Sequence, residues 1–317
     1  MFDFDLAGNK FAVIGDTHLS CKCPVNRIDD YPGAILNKLE HIRKILVSKD
    51  IKVCIILGDV FNTVRQNLSY INKCIEVFSS FGKSGISLYS IVGNHDILNE
   101  RMDSLERTPL QTMFAADVIR HLDHLSFQKF DITGVDYPDI IPPANTEDKE
   151  KRHYCIAHRY YNFELSDLSL HAEDLDALGY DCYVFGHDHE PYPCEKGNGW
   201  CLYRIGSLSR GTANKSNRER KPVFGIINGE TGDIELIEIP CENGASVFAE
   251  KTFVEHKKEA KSVFCEVIDT IDKLGKGEDD DIFQYVQKLD VNKEVRELIE
   301  IYLKCGGFAR TETTQIG

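Results

Sequence analysis

The sequence predicts an α/β protein built on a sheet buried on both faces. Three observations carry that reading. Continuous apolar runs occur at "KFAVIG", "VCIILG" and "ISLYSIVG", too short for helices and too uniformly apolar for strands with one wet face. Segments with apolar residues at helical spacing separate the runs. From residue 200 onward the pattern turns to strands joined by a tight turn.

Taken in order, "KFAVIGDTH" reads as a strand ending at Gly15. Residues 34–48 repeat apolar positions at helical spacing (Ile35, Leu39, Ile42, Ile45, Leu46) and form a helix. "VCIILGD" is a fully buried strand. Residues 66–81 are helical, with Leu68, Ile71, Cys74, Ile75 and Phe78 on one stripe. "ISLYSIVGN" completes a βαβαβ unit. Residues 125–136 read as two short strands, followed by the buried strands "YCIAH" and "CYVFGH" with the helical "DLSLHAEDLDAL" between them. "WCLYRIGS", "PVFGIING" and "DIELIEI" are strands, and "NGETGD" is a hairpin turn. The composition shifts after Pro240, which sets two expected regions, 1–240 and 241–317. The second carries charged helical segments, the acidic run "GEDDD", and a helix at 290–305 with Asp290 as N-cap and Gly306 as its end.

At 317 residues and 42% hydrophobic content the chain has ample material for a core. No apolar run reaches the length of a membrane span. A formal charge of −14 excludes general polyanion binding by bulk charge, so any nucleic-acid contact must be local, or mediated by metal or by a partner. The 11 cysteines are an odd number and include no CxxC pair, which argues against a thiolate zinc site and for reduced thiols in the cytosol.

Polar residues gather where the buried strands end. The first strand runs into Asp16 and His18, the second into Asp59, the third into Asn94, His95 and Asp96. "YCIAH" ends on His158, and "CYVFGHDH" on His187, Asp188 and His189. Singly, each motif is an ordinary turn. Together they put five of the 11 histidines at strand ends, where α/β proteins place their chemistry. Nitrogen and oxygen ligands without thiolates suit two divalent first-row ions: manganese first, iron or zinc as alternatives. Asp59, beside a glycine on a central strand, is the natural bridging carboxylate. Two such ions activate a bridging hydroxide and clamp the oxygens of a phosphoryl transition state. They also let an acidic pocket accept phosphate.

The order D-x-H, G-D, G-N-H-D, H, G-H-x-H resembles the calcineurin-like metallophosphoesterase superfamily over residues 11 to about 239. The resemblance implies a four-layer αββα sandwich of two mixed sheets. It implies that Asp16, His18 and His189 hold one metal, that Asn94, His158 and His187 hold the other, and that Asp59 bridges. His95 would orient the phosphate and protonate the leaving oxygen, and Asp96 would shape the turn. The protein phosphatases of the superfamily carry "GDxVDRG" and "GNHE", whereas this chain has "GDVFN" and "GNHD". "DTHLS", "GDVFN" and "YRIGSLSR" look more like the SbcD-type nuclease subunit of double-strand-break repair. Asn62 stands where that family often has Asp or His; it can hydrogen-bond His95 but adds no charge.

The expected activity is therefore metal-dependent phosphodiester hydrolysis, with DNA as substrate. A small-molecule phosphodiesterase or phosphomonoesterase is the alternative enzyme, and a metal-loaded scaffold the alternative of another class. Arg210 is a candidate substrate contact within the basic stretch Arg204–Lys221. Arg159, Tyr160 and Tyr161 could stack bases or pack at a loop base. The 290–305 helix has one apolar face, which either packs on the chain's own catalytic domain or docks an SMC-like ATPase or a second copy.

Overall fold

The structure, a computed structural model, describes residues 9–146, 148–163 and 169–249. The expected 290–305 helix lies outside the described residues. The compact unit considered below runs to Phe248.

Among the described residues, twelve strands form two six-stranded sheets. The first sheet contains β1 (Lys10–Ile14), β2 (Val53–Ile56), β3 (Ser87–Ser90), β4 (Arg120–His121), β11 (Val223–Asn228) and β12 (Ile234–Glu238). Its spatial order is β12-β11-β1-β2-β3-β4. The second contains β5 (His124–Ser126), β6 (Phe130–Val135), β7 (Arg152–His158), β8 (Cys182–Gly186), β9 (Tyr192–Lys196) and β10 (Cys201–Arg204). Its order is β5-β6-β7-β8-β10-β9.

Side-chain alternation on the central strands explains the layering. Ala12, Ile14, Cys54 and Ile56 face one core with helices α1 (Tyr31–Ser48), α2 (Leu68–Lys83) and α3 (Pro109–Ala115). Phe11, Val13, Val53, Ile55 and Leu57 face the opposite way, onto Ile132, Tyr154, Ile156 and Val184 of the second sheet. That sheet's outer face packs Cys155, Ala157, Tyr183 and Phe185 against Leu175 of α4 (Ala172–Leu178). Three cores between four layers make an αββα sandwich, and strands apolar on both faces are what such a position requires.

The local differences from the sequence reading have physical causes. Helix α1 begins three residues before the expected start at residue 34, because the Asp30 side chain caps Gly33 N–H and Pro32 suits the first turn. Helix α4 starts only at Ala172, after His171 and an Asp174 carboxylate that accepts the His171 N–H. Strand β9 escapes the pattern because four of its five residues are exposed. The "PVFGIING" and "DIELIEI" strands are β11 and β12, and β11 returns antiparallel beside β1. The chain stays with this unit past residue 240: Ile28 N–H donates to Val247 O at 3.0 Å, and the Arg27 guanidinium lies over the Phe248 ring.

Parallel register positions the chemistry. Ile14 pairs with Ile56, and Ile56 with Ser90, so β1, β2 and β3 end level with one another. His158 at the end of β7 pairs with Gly186 at the end of β8. Both sheets thus bring their carboxyl ends to a single rim.

Candidate metal centre

Two groups of ligand atoms converge at that rim. Asp16, His18, Asp59 and His189 form one, and Asp59, His158 and His187 the other, with the ligand atoms of each group within 4.8 Å of one another. Asp59 is common to both. Its Oδ2 lies 3.7 Å from His18 Nε2 and 3.4 Å from His158 Nε2. Its Oδ1 is held by the His95 N–H at 2.8 Å. Asn94 Oδ1 lies 3.0 Å from His158 Nε2, which adds a neutral oxygen to the second group.

The turns that carry these side chains are tight and strained. His18, Asp59 and His187 have φ of 45°, 48° and 82°, the left-handed region that non-glycine residues avoid. A Cβ on Gly93 would sit 2.2 Å from both the main-chain nitrogen and Oδ1 of Asp59, so only glycine lets the third turn close over the second. Asp96 ties the same two turns together. Its buried carboxylate accepts from Val60, Phe61 and Gly93 N–H groups at 3.0–3.2 Å. Asp16 accepts the His187 N–H on both oxygens, joining the first sheet's ligands to the second's.

Hydrogen bonding selects the nitrogen that His158 offers. The Leu57 carbonyl, 2.8 Å from His158 Nδ1, can only accept, so Nδ1 donates to it and Nε2, facing Asp59 and Asn94, is the nitrogen that a metal would take in exchange for its proton. His18 Nε2 and His189 Nε2 lie 2.9 Å apart, two ligand nitrogens aimed at one point.

The electrostatics suit cations. Burial drives the His18 and His187 imidazoles down to about 3 and lowers His189, which keeps them neutral, the form in which they bind metal. Burial pushes Asp16 up to about 7. Burial also opposes ionisation of Asp59, but His158 and His18 hold its carboxyl far below the usual carboxylate range. His158 shows the reverse balance: burial disfavours its charge, yet Asp59 lifts it to about 9. The decisive detail is Asp59 Oδ2, a buried carboxylate oxygen that accepts no hydrogen bond. It lies 3.4 Å from His158 Nε2 without a hydrogen bond, and a cation shared between the two groups would use that remaining acceptor capacity. The residues present fit a pair of divalent ions.

The sequence profile of the family described as calcineurin-like phosphoesterase matches residues 9–191, which span every one of these ligands. The chain belongs to the calcineurin-like phosphoesterase family. It is a hydrolase of phosphoester bonds. The phosphoesterase is 24% identical over 288 residues to the DNA double-strand break repair protein Mre11 of Methanocaldococcus jannaschii, covering 83% of this chain and 73% of that one. Among solved structures it is similar to TT1561 of Thermus thermophilus, with a TM-score of 0.48 and 8% identity over 73% of this chain and 99% of the other. A dimetal phosphatase from Danio rerio gives a TM-score of 0.47 and 12% identity over the same shares.

Residues expected around the phosphoesterase's ligands fall in several places. His95 is exposed at the mouth, its ring edge-on to His18 with centroids 4.9 Å apart. Its Nδ1 lies 2.8 Å from the main-chain carbonyl of Asn62. The sequence points to the Asn62 side chain as the partner; because the contact is made by the backbone instead, the identity of residue 62 has little bearing on it.

Arg210 is not a substrate contact at this rim. It is buried, and its guanidinium donates to the main-chain carbonyls of Asn217, Arg220 and Glu242. Arg204 is likewise buried, paired with Asp188 and Glu195. Arg220 donates to the carbonyls of Ser207 and Ser209. Arg204, Arg210 and Arg220 staple the chain behind the centre, while Lys215 and Lys221 of the same stretch are exposed. Arg159 is buried as well, over the Tyr137 ring. Tyr161 packs beside Trp200, whereas Tyr160 lies against His187, with ring centroids 3.8 Å apart.

Sequence reading missed the supports: the Leu57 carbonyl, Ser207 donating to Asp16 O at 2.8 Å, and Asp136 accepting from Val92 N–H at 2.7 Å. Only Ser207 left a trace, as the Gly-Ser of "RIGS".

Proposed function

We propose that this phosphoesterase is a manganese-dependent phosphodiesterase that cuts DNA, of the SbcD-type nuclease kind. The observation that carries the reading is the match to the archaeal repair protein. It runs over 83% of the chain, well beyond the ligand motifs that any member of the family shares.

Two bound divalent ions would supply Lewis-acid stabilisation of phosphoryl charge and lower the pKa of the attacking water. Asp16, His18 and His189 would hold one ion, Asn94, His158 and His187 the other, and Asp59 both. His95 keeps the proton of Nδ1 on the Asn62 carbonyl, which leaves Nε2 to pass a proton to the leaving oxygen. Tyr160, part-exposed between His187 and Phe163, offers an aromatic face beside the ligands on which a base can stack. The 290–305 helix of the sequence reading would dock the enzyme to an ATPase subunit or to a second copy. Its place of work on this reading is the cytoplasm, where thiols stay reduced. Among the described residues no helix is long and apolar enough to cross a membrane.

A single substrate panel with Mn²⁺ tests this: linear duplex, single-stranded DNA, cyclic nucleotides and p-nitrophenyl phosphate esters. Release of nucleotides from DNA, abolished by a chelator, is expected to exceed turnover of the small esters. Faster turnover of cyclic nucleotides or p-nitrophenyl esters would make it a small-molecule esterase. Inertness toward all of them would leave a metal-loaded scaffold.

A further inference from the structure

A cavity of about 410 Å³ opens between α1 and the segments carrying Arg210 and Glu242, and none of its lining residues is a ligand at the metal centre. Its wall carries more cations than carboxylates in a protein of net charge −14: Arg27, Lys38 and Arg210 line it against Asp29 and Glu242, with His41 at the edge. Arg27 is compensated by Asp29, through two hydrogen bonds of 2.7 and 2.6 Å. Lys38 and Arg210 are not. Lys38 is buried on a helix and donates to the Leu208 carbonyl at 2.9 Å, and among the described residues it has no carboxylate partner. Arg210 donates only to carbonyls, and its Nε is buried without a partner. Carbonyls satisfy the hydrogen bonds of a cation but leave its charge uncancelled, and a buried charge without a counter-ion is costly. Burial first, and then the like charges of Arg210 and Arg27, push the Lys38 ammonium down to about 7.

We propose that this cavity is a binding site for a phosphate group, distinct from the dimetal centre. Three cations against the two carboxylates Asp29 and Glu242 leave the wall with an excess of positive charge that favours an anion. The volume lies within the range of small-ligand sites and exceeds the need of inorganic phosphate alone, so a phosphate carried on a mononucleotide also fits. Ammonium and guanidinium groups are the donors that bind such oxygens most strongly. The cavity shares a loop with the metal centre. The Leu208 whose carbonyl receives Lys38 donates its own N–H to Asp16 O at 3.0 Å, so the phosphate group would lie one hydrogen-bonded loop away from a metal ligand.

Isothermal titration of the manganese-loaded full chain tests the site. Inorganic phosphate and a nucleoside monophosphate serve as separate probes, against the native protein, Asp59→Ala, Lys38→Met and His41→Glu. Asp59→Ala removes binding at the dimetal centre. Lys38→Met keeps the packed stem but not the charge. His41→Glu adds a negative charge at the half-buried edge without disturbing the core. A phosphate-dependent event should persist in Asp59→Ala and weaken roughly tenfold or more in Lys38→Met and in His41→Glu, the scale of one charged hydrogen bond. Tighter binding of the monophosphate would point to nucleotides as the source, and equal binding to free phosphate. An event that vanishes in Asp59→Ala, or that is unchanged in both Lys38→Met and His41→Glu, overturns the proposal.

Discussion

The carboxyl rim of the two sheets and the stretch Arg204–Lys221 both concentrate ionisable side chains, and in the sequence both look functional. At the rim the groups converge without satisfying one another. His18 and His189 point their ring nitrogens together at 2.9 Å, and Asp59 Oδ2 is buried with no donor. In the basic stretch the guanidinium groups of Arg204, Arg210 and Arg220 turn inward and find carboxylates or carbonyls. What separates the two regions is convergence: at the rim the ligand atoms gather on one place, whereas each guanidinium turns to partners of its own, although Arg204 Nε and Arg210 Nε are left without one.

The sharpest way to break this contrast is Asp59→Ala. If the rim exists to hold ions, loss of the one carboxylate common to both groups should remove both metals and all measurable turnover. Metal analysis of the purified variant decides it, and two tightly retained ions would place the bridge elsewhere.

Next in size is His95→Asn, at the exposed edge of the rim. Both metals should remain and turnover should fall by roughly 10²–10⁴, the usual range for a general acid. The deficit should shrink with a nitrophenolate leaving group, which needs no proton. Equal losses on good and poor leaving groups would remove His95 from that role.

A smaller effect is expected from Arg220→Gln in the scaffold region. Loss of its charged hydrogen bonds to the Ser207 and Ser209 carbonyls should cost about 1.5–3 kcal/mol of stability by denaturant titration. The salt dependence of DNA affinity should stay as in the parent. A flattened salt slope with unchanged stability would instead make this stretch a phosphate grip.

The smallest effect concerns a histidine outside the rim. His121 Nε2 lies 2.7 Å from Asp136 Oδ2, and that hydrogen bond raises the imidazole above its ordinary value. A raised value in the folded state means stability that is fully present below the unfolded value of 6.5 and is lost as pH rises through the folded value. The ring is partly exposed, so screening should hold the difference to under about 1 kcal/mol. Stability curves of the native protein and His121→Ala should therefore diverge at acidic pH and converge at alkaline pH. A constant gap across pH would mean that the ring acts by packing alone.

Much of the chemistry was legible in the chain because it depends on local order. Each ligand comes directly after a buried apolar run, and a chain that leaves a strand must expose its next residues at the strand's end. Asp16, Asp59, Asn94, His158 and His187 could be read that way one strand at a time, as could the sheet buried on both faces. The helix stripes were equally local. Arg210 and Asn62 were not. Whether Arg210 meets a phosphate or a carbonyl depends on where residues 217, 220 and 242 fold back. Whether Asn62 acts through its amide or its backbone depends on the approach of His95 from another strand. The return of β11 beside β1, the exposed β9 and the left-handed φ of three ligand residues are likewise decided between distant segments. Sequence pattern records which face of an element is buried and which residues come next in the chain. Only tertiary structure decides which donors meet which acceptors, because those pairings are set by chain segments that carry no mark of one another.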